Sequence, residues 1–160
     1  MLKIRRATKK DLSEIAKINL TCFHGCNDLK EAKKWIICNF LAFPRFQYFV
    51  AEKEKKIVGY ILWYFKGGWR KKSILELEQV AVEPKFQNQG IGTKLIKESF
   101  VKIKKYLQKE KRKLKAILVT TGTKQKAKRI YEKVLKVKPV AKIKRLFRGD
   151  EIILIKRYKV

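Results

Sequence analysis

Acidic residues are scarce in this chain: 14 Asp and Glu stand against 42 Lys and Arg, a formal charge of +28 over 160 residues. That shortage argues against a surface of balanced ion-pair networks, which would need more glutamate. Histidine occurs once, at His24, and cysteine three times, at Cys22, Cys26 and Cys38. An odd cysteine count without framework spacing argues against a disulfide-stapled secreted domain and for a reducing, cytoplasmic setting. The C-x-H-x-C spacing with a remote Cys38 is not a structural-zinc pattern, so no metal is expected. Long apolar runs are missing too. The longest, Ile57 to Phe65, falls far short of the ~20 residues that span a bilayer, so it reads as a buried strand and no membrane partner is expected. Met1-Leu2-Lys3-Ile4-Arg5 carries no signal-peptide pattern and enters alternating strand-like residues directly. There is no repeat, low-complexity tract or linker. With 46% hydrophobic residues the chain can bury a core, and one domain over residues 1–160 is the expectation.

The periodicities lay out alternating elements. Leu2 to Arg6 reads as a strand, and Thr8 with Asp11 has capping-box spacing before a helix whose apolar face is Leu12, Ile15, Ala16 and Ile18 to Leu20. Asp28 with Glu31 marks a second helix, holding Ala32, Trp35, Ile36 and Phe40 and ended before Pro44. Phe46 to Glu52 and Ile57 to Phe65, split by the polar turn Lys53 to Lys56, predict an antiparallel hairpin that Gly67-Gly68 closes. A strand over Ile74 to Val82, a helix to about Lys109 and a strand over Ala116 to Thr120 follow, with a break at Gly122. Ala127, Ile130, Tyr131, Val134 and Leu135 have helical spacing. Two last strands, near Val140 to Leu146 and Glu151 to Tyr158, are joined by Gly149-Asp150.

The most informative stretch is Leu75 to Phe100, which runs from an apolar strand through Gln87-Asn88-Gln89-Gly90-Ile91-Gly92 into an amphipathic helix carrying Ile91, Leu95, Ile96 and Phe100. The first N–H groups of a helix have no intrahelical partners and lie at the positive end of its dipole, while glycines admit a ligand close to bare backbone. The pattern suits a pyrophosphate. It is not the three-glycine dinucleotide fingerprint, and it lacks the Gly-Lys-Ser/Thr end of a P-loop.

Val82, Pro84, Gln87, Gly90 and Gly92 fall without a gap on V-x-P-x-x-Q/R-x-x-G-x-G/A, and the segment resembles the acetyl-CoA motif of the GNAT superfamily of N-acetyltransferases. The resemblance covers essentially the whole chain. It implies an α/β (α+β) acyl-CoA N-acyltransferase fold, a mixed, mostly antiparallel sheet with splayed central strands flanked by helices. It also implies acetyl-CoA as cosubstrate. Val80, Ala81 and Val82 would lie along the pantetheine arm, with the main chain of Val80 and Val82 making the contacts, and Gln87, Asn88, Gln89, Gly90, Ile91, Gly92 and Thr93 would surround the pyrophosphate. The segment Lys124 to Glu132 is similar to the family's N-x-x-A-x-x-x-Y-E helix, with Ala127, Tyr131 and Glu132 matching and Lys124 in the place of the asparagine that bonds the ligand's amide. By that resemblance Tyr131 sits near the CoA sulfur and protonates the departing thiolate, a role suited to a phenol un-ionised at neutral pH.

An amine that attacks a thioester must be neutral, so a base is required. Glu76 and Glu78 lie two apart on a strand and therefore share a face, opposite Leu75, Leu77 and Gln79. The resemblance places Glu76 where many members carry a strand glutamate used as base, while Glu78 is closer to the reacting end. Both glutamates also have a plainer reading, as answers to the positive charge around them. The family resemblance makes Phe23, His24 and Gly25 candidates for the acceptor wall.

The segment Lys144 to Leu154 partly resembles the Y-Y-x-x-G-E-D-A tail of protein N-terminal acetyltransferases, including those acting on ribosomal proteins, with Leu146 and Phe147 where two tyrosines would stand. The expected function is transfer of acetyl from acetyl-CoA to a protein or peptide amino group, with a small-molecule amine as the alternative acceptor. From a different class, the chain reads as a basic RNA-binding module on a degenerate fold, its support being the charge and Trp63, Tyr64 and Trp69 near Lys66, Arg70 and Lys71. The charge itself fits a nucleic-acid, ribosomal or acidic-protein neighbour, and it equally fits a lysine-rich proteome.

Overall fold

The computed structural model describes residues 1–23, 25–123, 127–147 and 149–160. Its elements are β1 (Leu2–Arg6), α1 (Leu12–Cys22), α2 (Leu29–Leu41), β2 (Phe46–Lys53), β3 (Lys56–Lys66), β4 (Lys72–Val82), α3 (Ile91–Lys109), β5 (Lys113–Gly122), α4 (Ala127–Leu135), β6 (Lys138–Ile143) and β7 (Glu151–Arg157), with 3-10 turns at Lys9–Asp11 and Pro84–Phe86. The seven strands form a sheet in the order β1-β2-β3-β4-β5-β7-β6. Among the described residues no helix is long and apolar enough to cross a membrane. The chain divides into two compact units, Met1–Trp63 with Gln79–Lys102 and Tyr64–Glu78 with Ile103–Val160.

In the first unit, β2 and β3 form a hairpin whose connecting residues Glu54 and Lys55 both have positive φ, 51° and 62°. A two-residue turn of that kind matches the strands' right-handed twist. Antiparallel β1 borders β2 from Leu2↔Lys53 to Arg6↔Phe49. The core joins Leu12, Ile15, Ala16 and Ile18 of α1 and Ala32 and Ile36 of α2 to Tyr48, Val50, Tyr60 and Leu62 of the hairpin. Asp28 begins α2 by accepting the Glu31 N–H at 2.8 Å, and the Glu31 carboxylate accepts the Asn27 N–H at 2.9 Å, so the expected start signal is realised on both sides. Asp11 does more than its spacing promised. Its two oxygens accept both terminal nitrogens of Arg5 at 2.7 and 2.8 Å and the Thr8 N–H at 2.7 Å. Burial works against the Asp11 charge, but the Arg5 and Thr8 bonds outweigh it and hold the carboxyl below its ordinary pKa.

Gly59 marks the tightest approach in this unit. A Cβ there would lie 2.8 Å from the Ala81 carbonyl oxygen, a backbone atom that cannot swing aside. Gly59→Ala should therefore cost about 1–3 kcal/mol of stability, as overpacking does. Urea unfolding measures it, and an unchanged midpoint would show that β4 can move away freely.

In the second unit, β4 pairs parallel to β5 from Lys72↔Lys113 to Leu77↔Val119, and β5 pairs antiparallel to β7 from Ala116↔Arg157 to Gly122↔Glu151. Gly122 thus belongs to β5 and does not break it. β6 pairs antiparallel to β7 and ends at Ile143, three residues short of the expected Leu146. One face of these strands is packed: Leu75, Leu77, Ile117, Val119 and Leu154 are all buried. So are Tyr131 and Leu135, four apart on α4, as their spacing predicts.

Two aromatic residues depart from expectation. Trp35, assigned to the buried face of α2, is 57% exposed, because α2 centres its buried stripe on Ala32 and Ile36. Trp63, offered as a base-stacking platform, is fully buried, with its indole N–H donating to Ser99 Oγ at 2.8 Å and its ring 6.0 Å from that of Phe100.

Candidate active site

The first unit holds the turn between β4 and α3. After β4, the 3-10 turn Pro84–Phe86 leads to Asn88 and Gly90, both at positive φ (60° and 76°), and α3 begins at Ile91. The Gly90 carbonyl accepts the Lys94 N–H at 3.0 Å, which makes Gly90 the residue at the helix mouth. The amides of Ile91, Gly92 and Thr93 follow in the first helical turn, where backbone donors lack intrahelical partners. That turn contains no acidic side chain to oppose the helix dipole. A Cβ built on Gly90 meets nothing within 4 Å, and one on Gly92 meets only Val82 Cγ2 at 3.9 Å. The two glycines therefore leave open space over a row of amide donors, and the residues present fit a pyrophosphate.

Side chains shape this turn from below. Gln87 donates its amide to the Val82 carbonyl at 2.8 Å, and the Cys22 thiol reaches the same oxygen at 3.5 Å. With its carbonyl so occupied, Val82 has only its N–H to offer a ligand. Gln79, just before Val80, is held by a buried network: Asn19 Nδ2 donates to the Tyr60 hydroxyl at 2.7 Å, and that hydroxyl donates to Gln79 Oε1 at 3.0 Å. Nothing in the periodicity of α1 announced this, since Asn19 interrupts an apolar face.

The second unit holds Glu76, Glu78 and Tyr131. The two glutamates share a face of β4, as the strand period requires, but their surroundings differ. Glu76 is buried and fully engaged: Lys66 Nζ donates to its Oε2 at 2.9 Å, and Thr120 Oγ1 donates to its Oε1 at 3.3 Å. Glu78 is exposed, yet desolvation by its neighbours pushes its carboxyl pKa up, the charge of Glu76 adds to that rise, and Lys66 opposes it. Tyr131 is 7% exposed, and burial raises its phenol to about 12. Its hydroxyl makes no hydrogen bond to another described residue. Thr120 escaped sequence reasoning, and Lys66 entered it only beside the aromatics as a nucleic-acid contact, not as the partner of Glu76; a lysine closing the apolar run of β3 was the available signal.

Lys124 and His24, both named from the sequence, lie outside the described residues. Among the described residues no three His, Cys, Asp or Glu side chains gather in a way that could hold a metal ion. Cys22 and Cys26 are half-buried and Cys38 is exposed, all as free thiols.

Residues 44–134, more than half of the chain, match the acetyltransferase (GNAT) domain, and the chain belongs to that family. A curated relative, an uncharacterised N-acetyltransferase of Archaeoglobus fulgidus, is 27% identical over 138 residues, covering 81% of this chain and 89% of that protein. Among solved structures, the ribosomal-protein-alanine N-acetyltransferase of Brucella melitensis superposes with a TM-score of 0.72 at 19% identity, covering 98% of this chain and 99% of that one. A GNAT family acetyltransferase of Elizabethkingia anophelis with acetyl-CoA bound gives 0.70 at 20% identity, over 98% of each chain. These likenesses establish the GNAT fold, a mixed sheet of seven strands with four helices.

Proposed function

We propose that this chain transfers the acetyl group of acetyl-CoA to a primary amine on a protein or peptide. The observation that carries the reading is the open turn at Gly90 and Gly92, in which unhindered amide donors at a helix mouth await an anion with no side chain over them. The Elizabethkingia anophelis relative holds acetyl-CoA. A protein acceptor is supported by the Brucella melitensis relative, whose substrate is a ribosomal protein, and by the partial tail resemblance at Lys144 to Leu154. Acetyl-CoA supplies an activated thioester, which an amine attacks directly with loss of the CoA thiolate. The turn from Gln87 to Thr93 holds the pyrophosphate, and the main chain of Val80 and Val82 receives the pantetheine arm. Tyr131 supplies a proton to the leaving thiolate.

The proton leaving the amine falls to Glu78. Glu76 already accepts from Lys66 and Thr120, and drawing a proton to it would break an ion pair. Glu78 is accessible, and desolvation beside the charge of Glu76 raises its pKa, which strengthens it as a base. Glu78→Gln should erase the acid limb of the pH–rate profile, a limb that lies above the ordinary carboxylate range, and slow turnover at pH 7 by about 10- to 50-fold, below the usual general-base contribution because water substitutes in part. A carboxyl whose pKa rises on folding loses stability as pH climbs through that pKa, so the neutral glutamine should melt no lower than the parent at pH 7. Glu76→Gln should keep the limb and lower the melting temperature by freeing Lys66. The opposite pattern would move the base to Glu76.

The activity test is thiol release from acetyl-CoA with N-terminal peptides, small amines and RNA offered in parallel. Turnover with peptides supports the proposal, turnover with small amines alone replaces the acceptor class, and absence of acetyl-CoA binding by calorimetry overturns the reading.

A further inference from the structure

A cavity of about 460 Å³ opens in the second unit beside the first residues of β4. Its floor is Ile74, Ala116, Leu118 and Ile155. The register explains why these four meet: Ile74 pairs with Ala116, Leu118 pairs with Ile155, and all four point to the same side of β4, β5 and β7. Each is half-buried, whereas Leu75, Leu77, Ile117, Val119 and Leu154 on the other side are buried. Parallel strands are ordinarily covered on both faces. Here an apolar face of a parallel pair is left half open, in a concavity of the size that takes small molecules.

The rim is cationic. Lys72, Lys115, Arg157 and Lys159 surround the apolar floor. Lys72 Nζ donates to the Val160 carbonyl at 3.4 Å. Lys115, Arg157 and Lys159 make no side-chain hydrogen bond or ion pair with another described residue. Tyr158, also in the lining, has its phenol pKa raised by burial, in keeping with an apolar interior. Unneutralised cations over a low-dielectric floor focus a positive potential into the cavity.

We propose that this cavity is a binding site for a small anionic amphiphile, a medium-chain carboxylate whose hydrocarbon lies on Ile74, Leu118 and Ile155 and whose carboxylate meets Lys115 and Arg157. The cationic end of the cavity at Lys72 is six residues from Glu78 along β4, about 20 Å at ~3.3 Å per strand residue, while its floor runs on the same face as far as Leu118, opposite Glu76. The proposal does not depend on the acetyl-transfer reading.

Calorimetric titration of the full chain with decanoate, below its micellar concentration, tests it. Saturable binding of one decanoate per chain is expected, with acetate, decanol and decyltrimethylammonium at least about tenfold weaker, because the site needs both a tail and a negative head. The double variant Lys115→Glu/Arg157→Glu should weaken decanoate at least about tenfold. A control, Lys30→Glu/Lys34→Glu on α2, changes the net charge equally and should leave affinity unchanged. All four substituted side chains are on the protein surface or its rim, and thermal melts confirm that both variants fold. Equal losses in the two variants would reduce the effect to the bulk charge of the protein, and acetate binding as tightly as decanoate would remove the apolar floor from the argument; either overturns the proposal. A dimer in solution that Leu118→Glu dissociates would assign the face to a second copy of the chain and overturn it as well.

Discussion

Tyr131→Phe should lower turnover by about 10³-fold, within the usual range for a positioned acid, and leave acetyl-CoA affinity within about twofold of the parent. The expectation rests on where the proton is needed. A departing thiolate gains charge as the thioester carbon re-forms its carbonyl, so a proton offered there acts in the transition state and not in the ground state. Burial holds the Tyr131 phenol at about 12, which keeps the proton in place throughout the working pH range. Because the hydroxyl bonds to no other described residue, its removal leaves no described group unsatisfied, and the variant should fold as the parent does. Steady-state kinetics combined with calorimetry separates the two effects. Undiminished turnover would show that water or the acceptor supplies the proton.

Gly92→Val should weaken acetyl-CoA by about 100-fold, roughly 2.7 kcal/mol, with little change in stability. Gly92 has no positive φ, so valine is compatible with the backbone, and the added Cβ meets only Val82 Cγ2 at 3.9 Å. Replacing glycine inside a helix also recovers some backbone entropy. The protein therefore tolerates the side chain, and the ligand does not, because the isopropyl group occupies the space over the amide donors. Gly90 offers a less clean test, since its φ of 76° would strain any replacement. Full affinity in a folded Gly92→Val variant would remove the turn as the phosphate site.

Much of this was legible in the sequence where local chemistry decides the outcome. The strand Leu2–Arg6, the helix Ala127–Leu135 and the entry into α3 beside Gly90 follow from period, capping and turn residues, and the structure has them at or within a residue of those positions. Hydrophobicity told less. Trp35 and Trp63 are equally apolar on paper, yet one is 57% exposed and the other fully buried, because burial depends on which neighbour arrives from far along the chain. The pairing of Glu76 with Lys66 and Thr120 joins residues 10 and 44 positions apart, and no spacing rule foretells it. It is this pairing that separates two glutamates the strand period makes equivalent. The end of β6 and the continuation of β5 through Gly122 were obscured for a related reason: glycine reads as a break, but Gly122 is held in register by Glu151 opposite it.

The position of β7 has a consequence for how the protein is made. Its residues, 151–157, bond to β5 on one side and β6 on the other, so both wait for a strand that comes later in the sequence than either. On the ribosome, the hairpin of β2 and β3 can close as soon as it emerges, whereas the second unit's sheet has no centre until these residues clear the exit tunnel. Until then the backbone donors and acceptors of β5 that β7 will satisfy are unpaired, a template for association with other chains. A chain truncated near Gly149 would therefore keep that edge of β5 open, and it should aggregate where the full chain stays dispersed.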